Sequence, residues 1–168
     1  MSTRPDHPAT PAPAPPAPPG RWLTEQEQAS WLALVGVIVR LPAALDRQLQ
    51  RDAGITHFDY QVMACLSTAP DRTLRMSTLA DLAQAQLPRL SQVVSRLETR
   101  GWVTRDADPR DGRCTLAQLT DAGWQKVVAS APGHVDAVRT LVFEQLTAPQ
   151  VRQLGAIGRR ILQAVDPG

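Results

Sequence analysis

Apolar residues recur at steps of three and four in the segment after residue 24, and this spacing is typical of an amphipathic helix. The segment covers about residues 24–52. Pro42 predicts a kink within the helix, and Gly54 predicts its end. Its apolar positions are Trp31, Leu34, Val35, Ile38, Leu41, Leu45 and Leu49.

Two shorter helices are predicted next along the chain. Thr56 and Asp59 have the spacing of a capping box, which predicts a helix that runs to about Ala69. The Ser77–Thr78 pair predicts the start of a short helix that runs through Gln84, because hydroxyl side chains cap helix N-termini.

A further helix is predicted from Leu87 to Arg100, followed by Gly101 at the position where helices end in the left-handed conformation. Pro88 suits its first turn, although no hydroxyl residue precedes it as a cap. Its apolar stripe consists of Leu90, Val93, Val94 and Leu97. A short helix, a tight turn and this longer helix form a candidate helix-turn-helix.

A β-hairpin is predicted after this helix. Strand-forming residues at 102–106 and alternating residues at 114–119 flank a polar turn at 107–112, and residues 74–76 suit a short extended edge. The fold class is therefore mainly α with a small β-hairpin wing, in an α+β arrangement. We predict a winged helix-turn-helix lobe over about residues 55–120.

The C-terminal third also has helical spacing. Thr120 is predicted to cap a helix that is interrupted at Pro132–Gly133 and resumes to about Leu146, and a last helix follows. The segments at about 24–52 and 134–165 have larger apolar faces than one small lobe can cover. We therefore expect these N- and C-terminal helices to form a dimerisation region.

The composition of the first 21 residues differs sharply from that of the rest of the chain. Residues 1–21 are rich in Pro and Ala and predict a disordered tail, whereas residues 22–168 have the apolar content of a single domain. We expect no membrane span and no secretory signal, because no apolar run has the required length. Cys65 and Cys114 have no metal-site spacing. These features favour a cytoplasmic protein with no metal and no cofactor.

Basic charge is concentrated in the middle of the chain. The segment from Arg72 to Arg113 holds eight arginines and five acidic residues. On the 87–100 helix, the positions opposite and beside the apolar stripe have side chains that hydrogen-bond to bases and phosphates. These positions are Arg89, Gln92, Ser95, Arg96 and Thr99. An ordinary solvated helix face has the same pattern, so the helix alone does not decide between the two interpretations.

The polar hairpin turn adds Arg110 and Arg113, and a narrow hairpin tip can place arginine in the minor groove of DNA. Asp111 is positioned to hold Arg113 by a surface ion pair. An exposed turn without DNA is the alternative. Cys114, beside Arg113, is expected either to have a lowered pKa and be oxidisable or to be a passive residue of the wing.

Over about 140 residues the chain resembles the MarR (multiple antibiotic resistance regulator) family of bacterial winged-helix transcription factors. The resemblance lies in the order and spacing of several short blocks. These blocks are Leu45 to Gly54, Phe58 to Tyr60, Leu74 to Ala80, Leu90 to Glu98, Arg100–Gly101, Asp108 to Arg113 and Leu119 to Gly123.

The resemblance implies a homodimer that binds a pseudo-palindromic operator in double-stranded DNA, most often as a repressor. It implies that Arg113 is the minor-groove arginine and Asp111 its partner. It places four residues at recognition-helix contact positions: Arg89, Ser91, Gln92 and Ser95. It also implies release of DNA by a small aromatic or phenolic effector, with Trp31, Arg47, His57 and Trp124 as conceivable neighbours of that ligand.

The chain departs from the family pattern at Leu87, where an arginine is common, and at Gly112, which leaves one fewer cation at the tip. A winged-helix protein-interaction module that has lost DNA binding is therefore the alternative function. The chain has no zinc-protease, nucleophile-elbow or nucleotide-binding motif, so the sequence does not favour an enzyme.

Overall fold

The computed structural model describes residues 22–166, so the predicted tail at 1–21 lies outside the described residues. Contacts divide the chain into two compact units that meet at Val37 and Ile38. Helix α1, Glu25–Ala53, begins in the first unit and ends in the second. Its start is capped within the first unit, where Thr24 Oγ1 accepts a hydrogen bond from the Glu27 amide at 3.2 Å.

Helix α1 has the predicted length but is more apolar than expected from the sequence. It is a helix throughout Glu25–Ala53, with Pro42 inside it, and Gly54 ends it with φ +64°. By length and composition it is apolar enough to cross a membrane, and only 6% of its most apolar window is buried. The expectation that no segment meets this criterion is therefore wrong.

Helix α2, His57–Ser67, begins with the predicted capping box, in which Thr56 accepts from the Asp59 amide and Asp59 accepts from the Thr56 amide. Strand β1, Thr73–Arg75, leads directly into helix α3, Met76–Leu82. The predicted Ser77–Thr78 cap is wrong, because the helix begins directly after the strand, at Met76. Its N-cap residue is Arg75, which makes no side-chain cap hydrogen bond.

Helix α4, Leu87–Thr99, confirms the helix predicted from Leu87 to Arg100. Pro88 lies in its first turn, and Gln86 precedes it without a side-chain cap. Gly101 has φ +72°, as predicted for the residue that ends this helix. Its buried stripe consists of the predicted residues Leu90, Val93, Val94 and Leu97.

Strands β2, Val103–Asp108, and β3, Asp111–Leu119, form the predicted hairpin, and β1 adds to it in the antiparallel order β1-β3-β2. The connection is two residues, Pro109 and Arg110, rather than the predicted six-residue turn at 107–112. The strands extend further because Asp108 pairs with Asp111 across the tip. The winged helix-turn-helix fold class is confirmed.

Helix α5, Asp121–Leu141, is capped by Thr120 as predicted but continues through Pro132 and Gly133, so the predicted interruption is wrong. A Cβ on Gly133 would lie 3.3 Å from Gln48 Nε2, which indicates that the glycine permits close approach of α1. A short 3₁₀ turn at Phe143–Gln145 precedes helix α6, Ala148–Val165.

The hydrophobic core is built by α2, α3, α4 and the strands, with one turn of α1 and one residue of α5. Its fully buried members include Leu49, Leu66, Leu79, Leu90 and Leu97. Helix α6 has no buried residue, although it carries a continuous apolar side. The core therefore fixes α4 and the wing, while α6 leaves its apolar side uncovered.

Candidate nucleic-acid interface

The outer face of α4 presents two of the predicted contact residues without an internal partner among the described hydrogen bonds. Gln92 and Arg89 are exposed, whereas Ser91 is half-buried near the wing. The Arg89 guanidinium lies 4.4 Å from the centre of the Phe58 ring, a cation–π contact that orients it at the start of the helix. These positions suit recognition of base edges and phosphates.

Arg96 has a protein partner instead of an open position. Its Nη2 donates to Asp59 Oδ1 at 2.9 Å, and the Asp59 side chain is only 4% exposed. The same carboxylate also completes the cap of α2, so Arg96 ties α4 to α2. The DNA-contact role of Arg96 stays a prediction, and the geometry gives this side chain a structural role as well.

The wing is fixed at its tip by an ion pair that the sequence analysis did not identify. Arg75 Nη2 lies 2.6 Å from Asp108 Oδ2, and Asp108 Oδ1 accepts from the Arg110 amide at 2.9 Å. The hydrogen bond from the Arg110 amide, followed by that from Arg75, holds the pKa of Asp108 below its usual value. Arg75 precedes α3, so the tip is anchored from the far edge of the sheet.

Arg113 projects from this anchored tip. Its side chain is 94% exposed, and its Nε lies 3.4 Å from Asp111 Oδ1, which confirms the predicted surface pair. The Arg113 amide also donates to this carboxylate, and this hydrogen bond is the main cause of a lowered pKa for Asp111. Arg110 is exposed at the turn. Two cations are therefore available at the tip of the wing.

Cys114 is not an activated thiol. Its sulfur donates to Asp111 Oδ2 at 3.5 Å, and both burial and this carboxylate raise the pKa of the thiol. The alternative of a pKa lowered by Arg113 is wrong, because burial and the Asp111 carboxylate both raise the pKa. Burial also raises the pKa of Cys65.

A groove of about 260 Å³ separates the start of α4 from the wing. Ser91, Arg105, Arg113 and Thr115 line it with donors, and Leu87 lies at its edge. The groove brings together the recognition helix and the exposed wing arginine. Arg105 and its partner Glu98 were also missed by sequence reasoning, because their contact depends on how the hairpin packs on α4.

The residues considered for an effector have different neighbours in the structure. Trp124 is partly exposed beneath Arg72, whose guanidinium lies 4.6 Å from the ring centre. His57 faces His134 with ring centroids 5.6 Å apart, and burial lowers the pKa of both. Arg47 is exposed on α1, and Trp31 is exposed in the first unit. Between residues 22 and 166 no group of His, Cys, Asp and Glu has a metal-site arrangement.

A sequence model of the MarR family matches residues 55–115. The chain is 45% identical to a MarR family transcriptional regulator from Streptomyces coelicolor crystallised in complex with DNA, with a TM-score of 0.85 over 89% of this chain and 93% of that one. It is 30% identical to AbsC, a MarR family transcriptional regulator from the same organism, with a TM-score of 0.83 over 89% of this chain and 100% of that one.

A curated relative, the uncharacterized HTH-type transcriptional regulator YdcH of Bacillus subtilis, is 31% identical over 80 residues. The match covers 46% of this chain and 54% of the relative, so the chain spans about half the length of that protein. The family-model match covers α4, β2 and the first part of β3.

Proposed function

The chain belongs to the MarR family of transcriptional regulators, and we propose that it represses transcription by binding a pseudo-palindromic operator in double-stranded DNA. Each winged lobe of a homodimer binds one half-site, with α4 in the major groove and the wing in the adjacent minor groove. The DNA-bound relative supports this proposal at the level of the family.

The observation that carries the proposal is the geometry of the wing. Arg113 is almost fully exposed, yet it extends from a tip that Asp108 and Arg75 hold in place. An exposed arginine on a rigid hairpin is suited to a narrow minor groove with a high negative potential. The other proposed DNA contacts lie on α4 and on the wing. Those on α4 are Arg89, Ser91, Gln92 and Ser95, and those on the wing are Arg110 and Asp111.

The first test is a titration of the full chain with the duplex upstream of its own gene and with a scrambled duplex, by fluorescence anisotropy at two salt concentrations. We expect tight, salt-sensitive binding with preference for the upstream duplex. Arg113→Ala should weaken it by about 1–3 kcal/mol. Gln125→Ala is the control, because it truncates an exposed side chain on α5 that lies outside both the wing and the predicted dimerisation segments.

Unchanged affinity of Arg113→Ala would refute the minor-groove role. Absence of DNA binding by the wild-type chain, tested against a pool of random duplexes, would instead favour the protein-interaction module. Gln92→Ala should change base preference at one position of each half-site, because glutamine forms paired hydrogen bonds with adenine.

The homodimer is supported by apolar surface that the single chain does not bury. On α6, Ile157 is 55% and Leu162 is 66% exposed, and Ile38 on α1 is 59% exposed. Exposed apolar stripes of this kind mark interfaces. We propose that a second copy, rather than a membrane, covers these stripes, and that the protein is cytoplasmic.

Sedimentation of the wild-type chain should give a species of about 37 kDa, twice the 18.3 kDa chain. Ile157→Glu should shift it toward the monomer, whereas Gln163→Glu, also exposed on α6, places the same charge outside the apolar stripe and should not. Recovery of the wild-type chain only with the membrane fraction would contradict both the dimer and the cytoplasmic location.

Release by a small aromatic or phenolic effector is proposed from the family resemblance, and it completes the regulatory function. A suitable probe is 4-hydroxybenzoate, which has both a carboxylate and a phenol. It should raise the dissociation constant of the DNA complex and raise the thermal midpoint of the free protein, since a ligand stabilises the state that binds it. No change in either quantity across aromatic and phenolic acids would contradict this part of the proposal.

A further inference from the structure

Arg105 joins the wing to the recognition helix. On β2, its Nε and Nη2 donate to Glu98 Oε2 at 2.9 and 2.6 Å, and its Nη2 also donates to Ser95 Oγ at 3.0 Å. Both acceptors belong to α4. The Arg105 and Glu98 side chains are 29% and 31% exposed, so solvent only partly screens the pair.

The position of Arg105 along β2 makes this contact important. Val103, on the same face of the strand, is buried in the core, whereas Ala107, nearer the tip, is exposed. Core packing of β2 against α4 therefore ends before the tip. Within residues 22–166, the side chain of Arg105 makes the only hydrogen bonds between the β2–β3 hairpin and α4.

We propose that Arg105 is a positioning residue that couples the wing to the recognition helix through Glu98. It holds the wing arginine Arg113 and the helix residue Gln92 in the relative orientation that one DNA site requires. A coupled pair of elements loses less conformational freedom on binding than two independent ones, and so binds more tightly. This inference rests on the proposed DNA-binding function.

A direct contact between Arg105 and a DNA phosphate is the competing role, because Arg105 also lines the groove beside Arg113. The two roles predict opposite effects of Glu98→Gln. If Arg105 contacts phosphate, loss of the Glu98 charge frees it and tightens DNA binding. If Arg105 positions the wing, the same substitution releases the coupling and weakens DNA binding.

The experiment titrates full-length wild type, Glu98→Gln, Arg105→Ala and Asp106→Asn against the upstream duplex at several salt concentrations. Asp106 follows Arg105 in the sequence and is exposed with no side-chain hydrogen bond in the described structure, so Asp106→Asn removes the same negative charge without touching the pair. We expect Glu98→Gln to bind about fivefold or more weakly and Asp106→Asn to bind equally or more tightly.

Arg105→Ala should bind more weakly with an unchanged salt dependence. A double variant that carries both Glu98→Gln and Arg105→Ala should lose little more DNA affinity than Arg105→Ala alone, because both changes break the same coupling. Protection from hydroxyl radicals, which attack deoxyribose from the minor groove, should fall where the wing binds, while protection of guanine N7 from dimethyl sulfate in the major groove at the half-site centres remains. General loss of folding would not produce this split. If Arg105→Ala does not fold, Glu98→Gln, which keeps the side-chain size, decides the question.

Equal or tighter binding by Glu98→Gln overturns the proposal, as does an Arg105→Ala variant whose salt slope falls by about two, which is the signature of one lost phosphate contact in each protomer of the dimer. These results refute only the coupling, because the wild-type chain still binds DNA. Failure of the wild type to bind any duplex refutes the proposed function itself.

Discussion

Gly123, in the first turn of α5, occupies a position where a single methyl group should disrupt the base of the wing. A Cβ at this position would lie 2.1 Å from the Trp102 carbonyl oxygen and 2.7 Å from Leu119 Cδ1. The Trp102 carbonyl cannot move freely, because it accepts a hydrogen bond from the Thr120 amide at 3.0 Å. Trp102 directly precedes β2 and Leu119 is the last residue of β3, so Gly123→Ala should force the hairpin away from α5.

The magnitude follows from two opposing contributions. Alanine favours a helix interior over glycine by about 1 kcal/mol. Forcing an extra methyl group into a packed site costs about 1–3 kcal/mol, and more where backbone must move. Since the obstructing atom is a backbone oxygen, we take the cost at about 3–5 kcal/mol, above this range, which leaves a net loss of about 2–4 kcal/mol in the free energy of unfolding. This corresponds to a decrease of about 5–15 °C in the thermal midpoint.

Urea unfolding monitored by circular dichroism measures this change. Ala122→Gly is the matched control, because Ala122 is exposed in the same turn and the reverse exchange there tests helix propensity without a clash. It should cost at most about 1 kcal/mol. A Gly123→Ala variant as stable as the wild type, or more stable, would show that the clash is absent and would refute the packing of α5 on the wing.

Asp59→Asn should lower the free energy of unfolding by about 1–3 kcal/mol, because the buried Asp59 carboxylate both caps α2 and pairs with Arg96. Asp81→Asn, at an exposed position, is the control. Equal stability of the two variants would contradict this role of Asp59. Protonation of His134 is disfavoured in the folded chain by burial and by the facing histidine, so its pKa is lowered. The contribution of His134 to stability should therefore be complete above about pH 6.5 and fall as the pH decreases below that value. His134→Gln should make the free energy of unfolding less dependent on pH between about 7.5 and 5, and an identical pH dependence in the variant would argue against this. Because its pKa is raised, the Cys114 thiol should stay protonated at neutral pH, so Cys114→Ser and peroxide treatment should leave DNA affinity within about twofold, and release of DNA by peroxide in the wild type alone would contradict this.

The recognition helix and the hairpin were predictable from local signals. The Thr56 and Asp59 cap, the glycine at 101 and the apolar stripe of α4 act within one or two turns, so sequence spacing alone defines them. The same local logic failed at Pro132–Gly133, where packing of α5 near Gln48 outweighs the local preference to end a helix.

The candidate site was only partly predictable because its ion pairs join residues that are distant in sequence. On a helical wheel Arg96 lies at the edge of the outer face of α4. Nothing in the neighbouring sequence indicates that Asp59 on α2 will bind it. The Arg75 and Asp108 pair likewise requires the third strand, β1, which seats one end of the pair beside the wing tip. Local spacing predicts which face of a helix is polar, but not which of its side chains pair with another element of the protein.

This distinction changes what the basic segment should do in a salt titration. Arg72, Arg75, Arg96 and Arg105 pair with carboxylates on other elements, and Arg100 donates to a backbone carbonyl. Of the eight arginines between positions 72 and 113, three have no carboxylate or carbonyl partner on another element of the described structure and remain to displace counterions from DNA: Arg89, Arg110 and Arg113, whose partner Asp111 lies on the same strand.

With about six such contacts per dimer, the logarithm of the binding constant should fall against the logarithm of the salt concentration with a slope of about −5, whereas eight per protomer would give about −14. Anisotropy titrations of the upstream duplex in a series of chloride concentrations measure this slope. A value steeper than about −10 would show that the ion pairs open on DNA binding, and that these arginines exchange their carboxylate partners for phosphates.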